Sequence, residues 1–207
     1  MIRALERARL YLVAPGEFPV DVLASVIEAG VDIVQLRMKD AEASEILEVG
    51  DAWMRVCASA GVPLIVNDRP DIALALGADG VHLGQDDLPP AVARTILGPD
   101  AIIGRSTHSI DDIDRAVAEH AAGLCDYIAV GPVHETPTKP GRASTGYELL
   151  AYAARTVSFP WFAIGGIDLS NVEDVMAAGA GRIVVVRAIT QAPDPVQAAK
   201  ELAAALA

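Results

Sequence analysis

Five times along this chain a helical segment ends in glycine and a short, mostly apolar, β-branched strand follows within a few residues. The pattern runs through Ala29-Gly30 into Val31-Asp32-Ile33-Val34, and through Ala60-Gly61 into Leu64-Ile65-Val66. It returns as Leu76-Gly77 before Gly80-Val81-His82-Leu83, as Gly123 before Tyr127-Ile128-Ala129-Val130, and as Gly179 before Arg182-Ile183-Val184-Val185-Val186. Glycine at a helix end supplies the left-handed cap, and near-continuous apolar strands suit a sheet buried on both faces.

Strand candidates lie near 9–13, 32–36, 63–66, 80–83, 101–104, 126–130, 161–164 and 182–186. Segments of helical character alternate with them, near 20–30, 41–60, 70–77, 89–97, 110–121, 147–156, 170–178 and 194–206. Strict β–α alternation predicts a parallel sheet. Eight units in 207 residues suit a compact α/β fold, a (β/α)8 TIM barrel of eight parallel strands, with 1–207 forming a single catalytic domain. A doubly wound open sheet is the second arrangement compatible with the alternation, although no Gly-x-Gly-x-x-Gly fingerprint opens the first helix. Hydrophobic residues make up 52% of the chain and aromatic residues 4%, so the core must be built from Ala, Val, Leu and Ile.

A net charge of -12 argues against nucleic acid or an anionic membrane as partner. It leaves room for a phosphate ligand, because surface carboxylates beyond a Debye length of ~8 Å are screened. Cys57 and Cys125 lack the spacing of a zinc or redox motif and read as buried thiols. No basic-then-apolar leader opens the chain and no apolar run is long enough to span a bilayer. The expectation is a soluble, cytoplasmic protein acting on small molecules; the oligomeric state is not legible.

In a barrel of this kind the active site lies at the C-terminal ends of the strands, and polar residues stand at those ends. Gln35-Leu36-Arg37-Met38-Lys39 follows the second strand. Arg37 and Lys39 alternate, so both cations aim the same way. A planar fork beside a point charge suits a diphosphate, while the pair also fits an ordinary solvated loop. Gln35 donates and accepts at once, as an amino-bearing heteroaromatic ring requires. Asp68 and Asp87 follow strands three and four. Two carboxylates with no His or Cys cluster suit Mg2+ held with substrate phosphates, although each alone also reads as a cap or turn residue.

Asn67 and Ser106 offer neutral hydrogen bonds near such phosphates. Thr136-Pro137-Thr138-Lys139, in the loop after strand six, suits phosphate or carboxylate capture. Gly165-Gly166 after strand seven and Val186-Arg187 after strand eight stand where such barrels often bind a phosphate. Of the histidines, His82 reads as a satisfied barrel residue and His120 as a helix-surface residue. His108 and His134 stand near the mouth. No Ser-His-Asp or Cys-His arrangement is evident. Cations and a metal pair without a nucleophile or base favour chemistry driven by leaving-group departure.

These motifs together resemble the thiamine-phosphate synthase (thiamine-phosphate pyrophosphorylase) family. The matching stretches are Gln35-Leu36-Arg37-x-Lys39, Val66-Asn67-Asp68, Gly80-Val81-His82-Leu83-Gly84-Gln85-Asp86-Asp87 and Gly104-x-Ser106-x-His108. Gly131-Pro132 through Thr136-Pro137-Thr138-Lys139 and Ile164-Gly165-Gly166-Ile167 complete the ordered set. The resemblance implies a Mg2+-dependent transferase that joins an aminopyrimidine diphosphate to a thiazole phosphate. It implies that Gln35, Leu36, Arg37, Met38, Lys39, Asn67, Ser106 and Lys139 hold the pyrimidine diphosphate, with Arg37, Lys39, Ser106 and Lys139 catalytic. It further implies Mg2+ on Asp68 and Asp87, and the thiazole phosphate on Thr136, Pro137, Thr138, Gly166, Val186 and Arg187. Arg187 stands where the family commonly has Ser, His134-Glu135 replaces an aromatic-Pro pair, and Ala14-Pro15 replaces a Thr-Asp pair. A thiazole tautomerase of the same barrel family and a non-catalytic thiamine-precursor binder are the alternative readings.

Overall fold

A computed structural model of the chain describes residues 2–135 and 144–207. Its eight strands are β1 (Leu10–Ala14), β2 (Ile33–Leu36), β3 (Leu64–Asn67), β4 (Gly80–Leu83), β5 (Ile102–Thr107), β6 (Tyr127–Val130), β7 (Trp161–Ile164) and β8 (Ile183–Val185). Each pairs in parallel with the next, and β8 pairs with β1 to close the barrel. The helices α2 (Val20–Glu28), α3 (Ala43–Ala60), α4 (Pro70–Leu76), α5 (Pro90–Leu97), α6 (Ile110–Ala121), α7 (Gly146–Thr156), α8 (Val172–Ala177) and α10 (Pro195–Ala205) fall in the expected segments. Gly61 and Gly77 end α3 and α4 at φ +68° and +67°, the left-handed caps that the glycine pattern signalled.

Two helices were not expected. α1 (Ile2–Arg7) closes the N-terminal end of the barrel, and α9 (Arg187–Thr190) follows β8 directly. β5 also runs three residues beyond the expected end, which puts Ser106 on the strand itself.

Side chains alternate strictly between two apolar regions. Leu12, Val34, Leu64, Val81, Ile103, Ile128 and Ala163 face outward and meet the helices. Tyr11, Val13, Ile33, Ile65, Ile102, Tyr127, Phe162 and Val184 fill the interior, joined from below by Leu5 of α1 and Ala8 just after it. The interior is tight: a Cβ on Gly104 would lie 2.1 Å from Cζ of Tyr127. Acidic residues at the strand starts have structural work. Asp32, Asp79 and Asp126 accept the backbone N–H of Leu10, Leu64 and Ile103 on the preceding strand.

Cys57 and Cys125 are buried free thiols, and burial pushes both up to about 12. His120 is not a surface residue. It is half-buried, its ring stacks on Phe159 at 3.9 Å, and Nδ1 lies 2.8 Å from the carbonyl oxygen of Cys125. Among the described residues no helix is long and apolar enough to cross a membrane.

Candidate active site

A cavity of about 600 Å3 opens at the C-terminal ends of the strands. Gln35, Arg37, Lys39, Asn67, Asp68, Asp87, Ser106, Gly166, Val186 and Arg187 all line it. The period-two alternation of β2 explains which residues of that stretch arrive there. Gln35, Arg37 and Lys39 face the cavity, whereas Leu36 and Met38 do not line it and join the outer apolar layer. Thr136, Pro137, Thr138 and Lys139 lie outside the described residues.

A buried polar chain crosses the barrel just below the cavity. Gln35 Nε2 donates to Tyr11 Oη at 2.6 Å, and Tyr11 Oη lies 2.9 Å from Tyr127 Oη. Tyr127 Oη is 3.0 Å from His82 Nδ1, and His82 Nε2 is 2.9 Å from Ser106 Oγ. Burial raises both phenols well above their ordinary value, so they remain hydroxyls. Neutral hydroxyls, an imidazole and an amide satisfy one another here, which explains how polar groups sit in an apolar barrel without charge. The outcome at the surface is chemical. One N–H of Gln35 is spent on Tyr11, which orients its carbonyl Oε1, and the Ser106 hydroxyl is held at the cavity wall.

The carboxyl of Asp68 lies against that of Asp87. Burial first, then the side-chain hydrogen bond with Asp87 and the Asp87 charge, push Asp68 up from 3.8 to about 6, opposed by Lys39 and Asn67. Lys39 Nζ is 3.9 Å from Asp68 Oδ2, and Gly84 N donates to Asp87 Oδ2 at 2.6 Å. Among the described residues no group of three or more His, Cys, Asp or Glu is placed to hold a metal. Two like-charged oxygen donors in contact fit a hard divalent cation, one that takes its remaining ligands from water and substrate oxygens. Such an ion would relieve the repulsion that raises Asp68.

Across the cavity, the turn after β7 is built for close backbone approach. Gly166 sits at φ +63°, and a Cβ there would meet Cβ of His134 at 2.8 Å. Asn171 Nδ2 donates to the Gly166 carbonyl at 2.9 Å, which fixes the turn. Arg187 begins α9 beside it and lines the cavity. His134 packs edge-on against Tyr147, with ring centroids 5.5 Å apart. His108 lines the cavity, and its Nδ1 lies 2.5 Å from the Gly131 carbonyl.

Tyr11 also lines the cavity and is not among the residues the sequence singles out, whereas Gln85, which lines it too, belongs to the Gln85-Asp86-Asp87 strand ending. Tyr11 is hidden in an apolar run. Its only sequence signal is phase: it lies two residues before Val13, which pairs with Gln35.

Fold and site define a parallel (β/α)8 protein that gathers cations, paired carboxylates and a glycine turn around one mouth. The model of the thiamine monophosphate synthase family (TMP-TENI) matches residues 10–189. The thiamine-phosphate synthase of Acidothermus cellulolyticus is 50% identical over 213 residues, covering 100% of this chain and 99% of that protein. The thiamine-phosphate synthase of Nostoc sp. is 49% identical over 192 residues, and there the match spans only 54% of the relative's length. A solved thiamine phosphate pyrophosphorylase from Pyrococcus furiosus superposes with a TM-score of 0.87 at 31% identity, covering 98% of this chain and 96% of that one. The chain belongs to the thiamine monophosphate synthase family.

Proposed function

We propose that this chain is a cytoplasmic thiamine-phosphate synthase. It would transfer the aminopyrimidinylmethyl group, ring and methylene together, from its diphosphate to the ring nitrogen of a thiazole phosphate. The observation that carries this reading is the contact of Asp68 with Asp87 beside Arg37 and Lys39, on the same cavity as the Gly165-Gly166 turn. The C–O bond to diphosphate breaks with its electron pair on the leaving oxygen, leaving a methylene cation conjugated with the ring amine. The thiazole nitrogen lone pair then forms the C–N bond.

The protein's share is binding, charge neutralisation and exclusion of water. Arg37 and Lys39 take the diphosphate oxygens, with Asn67 and Ser106 donating beside them. Gln35 presents Oε1 to the ring amine. Gly166, Val186 and Arg187 hold the thiazole phosphate. Mg2+ on Asp68 and Asp87 would supply further positive charge at the diphosphate. Thr136, Pro137, Thr138 and Lys139, which follow β6 in the sequence, would add hydroxyl and ammonium contacts to the two phosphates.

Purified protein with both substrates should yield thiamine phosphate and diphosphate with Mg2+, and no product with a chelator. Folded protein that forms no product from verified substrates would overturn the assignment. Lys39→Ala should lower kcat/KM by about ten- to a hundredfold, the loss of one charge-assisted contact. Lys39 is half exposed, so thermal stability should hardly change. Unaltered turnover would remove Lys39 from the site.

A further inference from the structure

Arg105 falls between two residues of the site motif, Gly104 and Ser106, yet does not line the cavity. Gly104 faces Tyr127 in the barrel interior and Ser106 lines the cavity, so strand alternation turns Arg105 outward, toward the helices. It is only 6% exposed, a costly place for a guanidinium without partners. Nη1 donates to the Gly84 carbonyl at 2.5 Å, and Nη2 reaches Gln85 Oε1 at 3.5 Å. Glu119 of α6 lies opposite, its Oε2 3.7 Å from Nε. That exceeds a hydrogen-bond length, and among the described residues neither atom has a hydrogen-bond partner. The guanidinium thus stays within ion-pair range of Glu119 but directs its hydrogen bonds to the turn after β4.

That turn aims two groups at the cavity. Gly84 N donates to Asp87 Oδ2 at 2.6 Å, and Gln85 Nε2 donates to the Ser106 carbonyl at 2.5 Å. Arg115 Nη1 adds a second hold on Gln85 Oε1, at 3.0 Å. We infer that Arg105 is a positioning residue: from outside the barrel it fixes the Gly84-Gln85 turn that orients Asp87 and ties it to Ser106. This rests on the reading of Asp87 as a metal ligand.

The test separates positioning from stability. Arg105→Met alone strands Glu119, whereas Arg105→Met with Glu119→Leu removes the buried pair together, a change that is often neutral or stabilising. The double variant should keep its Tm, while its affinity for Mn2+ in the presence of inorganic diphosphate, followed by water-proton relaxation, falls about tenfold or more. The KM for the thiazole phosphate, bound across the cavity, should stay unchanged. A role in folding alone would produce the reverse: a lower Tm with Mn2+ affinity intact. If the double variant does not fold, Arg105→Lys, which keeps the charge but reaches one acceptor, should show a smaller loss of Mn2+ affinity. Asp87→Asn is run alongside. Mn2+ affinity lost in Asp87→Asn and unchanged in the Arg105 variants overturns the inference. Affinity unchanged in both means that the metal reading fails and takes this inference with it.

Discussion

Asp68→Asn is expected to lose turnover and gain stability together. Asp68 sits at φ +63°, and Asp and Asn are the side chains that best tolerate left-handed backbone, so the substitution keeps the turn. The carboxyl is held at about 6 by burial and by Asp87, which means that its ionised form is disfavoured in the folded chain. At pH 7, above that value, the metal-free protein carries the penalty in full. Two pKa units correspond to ~3 kcal/mol if fully expressed. Solvent reaches the group, its side chain being 22% exposed, and screening reduces the expected gain in Asp68→Asn to about 1 kcal/mol. In a chain of this length that raises Tm by about 2–4 °C.

The penalty disappears as pH falls through 6 toward 3.8, so the difference between variant and parent should close over that interval. Turnover moves the other way. An amide cannot supply the anionic oxygen of a divalent-cation site, and losing that charge stabilisation should lower kcat by about 10²–10³-fold. Thermal unfolding in chelator and product formation in saturating Mg2+ measure the two halves. A variant less stable than its parent, or one that retains turnover, would contradict the carboxylate-pair reading.

The barrel was legible because its signals are local and repeated: helix, glycine, apolar strand. What escaped were pieces too short or too polar for periodicity. α9 spans four residues, and α1 matters through the barrel floor it closes with Leu5. The sequence suggests an end to β5 at residue 104 because Arg105-Ser106-Thr107 reads as loop, whereas the strand runs to Thr107. In a barrel whose interior turns polar toward its mouth, the ladder simply continues through those residues. The site was legible to the extent that strand ends are. Alternation put Arg37 and Lys39 on one side, and by the same rule it turned Leu36 and Met38 away from the cavity. No spacing rule brings Asp68 against Asp87, because that contact depends on the shapes of two loops after neighbouring strands. The Tyr11–Tyr127–His82 chain is likewise invisible until the barrel closes, since its members come from β1, β6 and β4.

Gly104→Ala should destabilise the fold severely, and the size of the loss should depend on Tyr127. The added methyl would lie 2.1 Å from Cζ and 2.3 Å from Oη of Tyr127, inside any tolerable contact. Tyr127 cannot swing aside. It is fully buried, edge-on to Tyr11 at 5.8 Å and to Phe162 at 5.7 Å, and hydrogen-bonded to Tyr11 and His82. Overpacking of this kind costs about 3 kcal/mol or more. Tyr127→Ala alone costs about 3–5 kcal/mol through the cavity it leaves, and that cavity is where the methyl added by Gly104→Ala would go. The double variant should therefore be more stable than the sum of the single changes by about 1–3 kcal/mol. Denaturant unfolding of the four proteins measures the coupling. Strict additivity would mean that the strand relaxes away from the ring. A coupled result ties floor to site: the glycine two residues before Ser106 is there to admit the ring whose hydroxyl, through His82, holds the Ser106 side chain at the mouth.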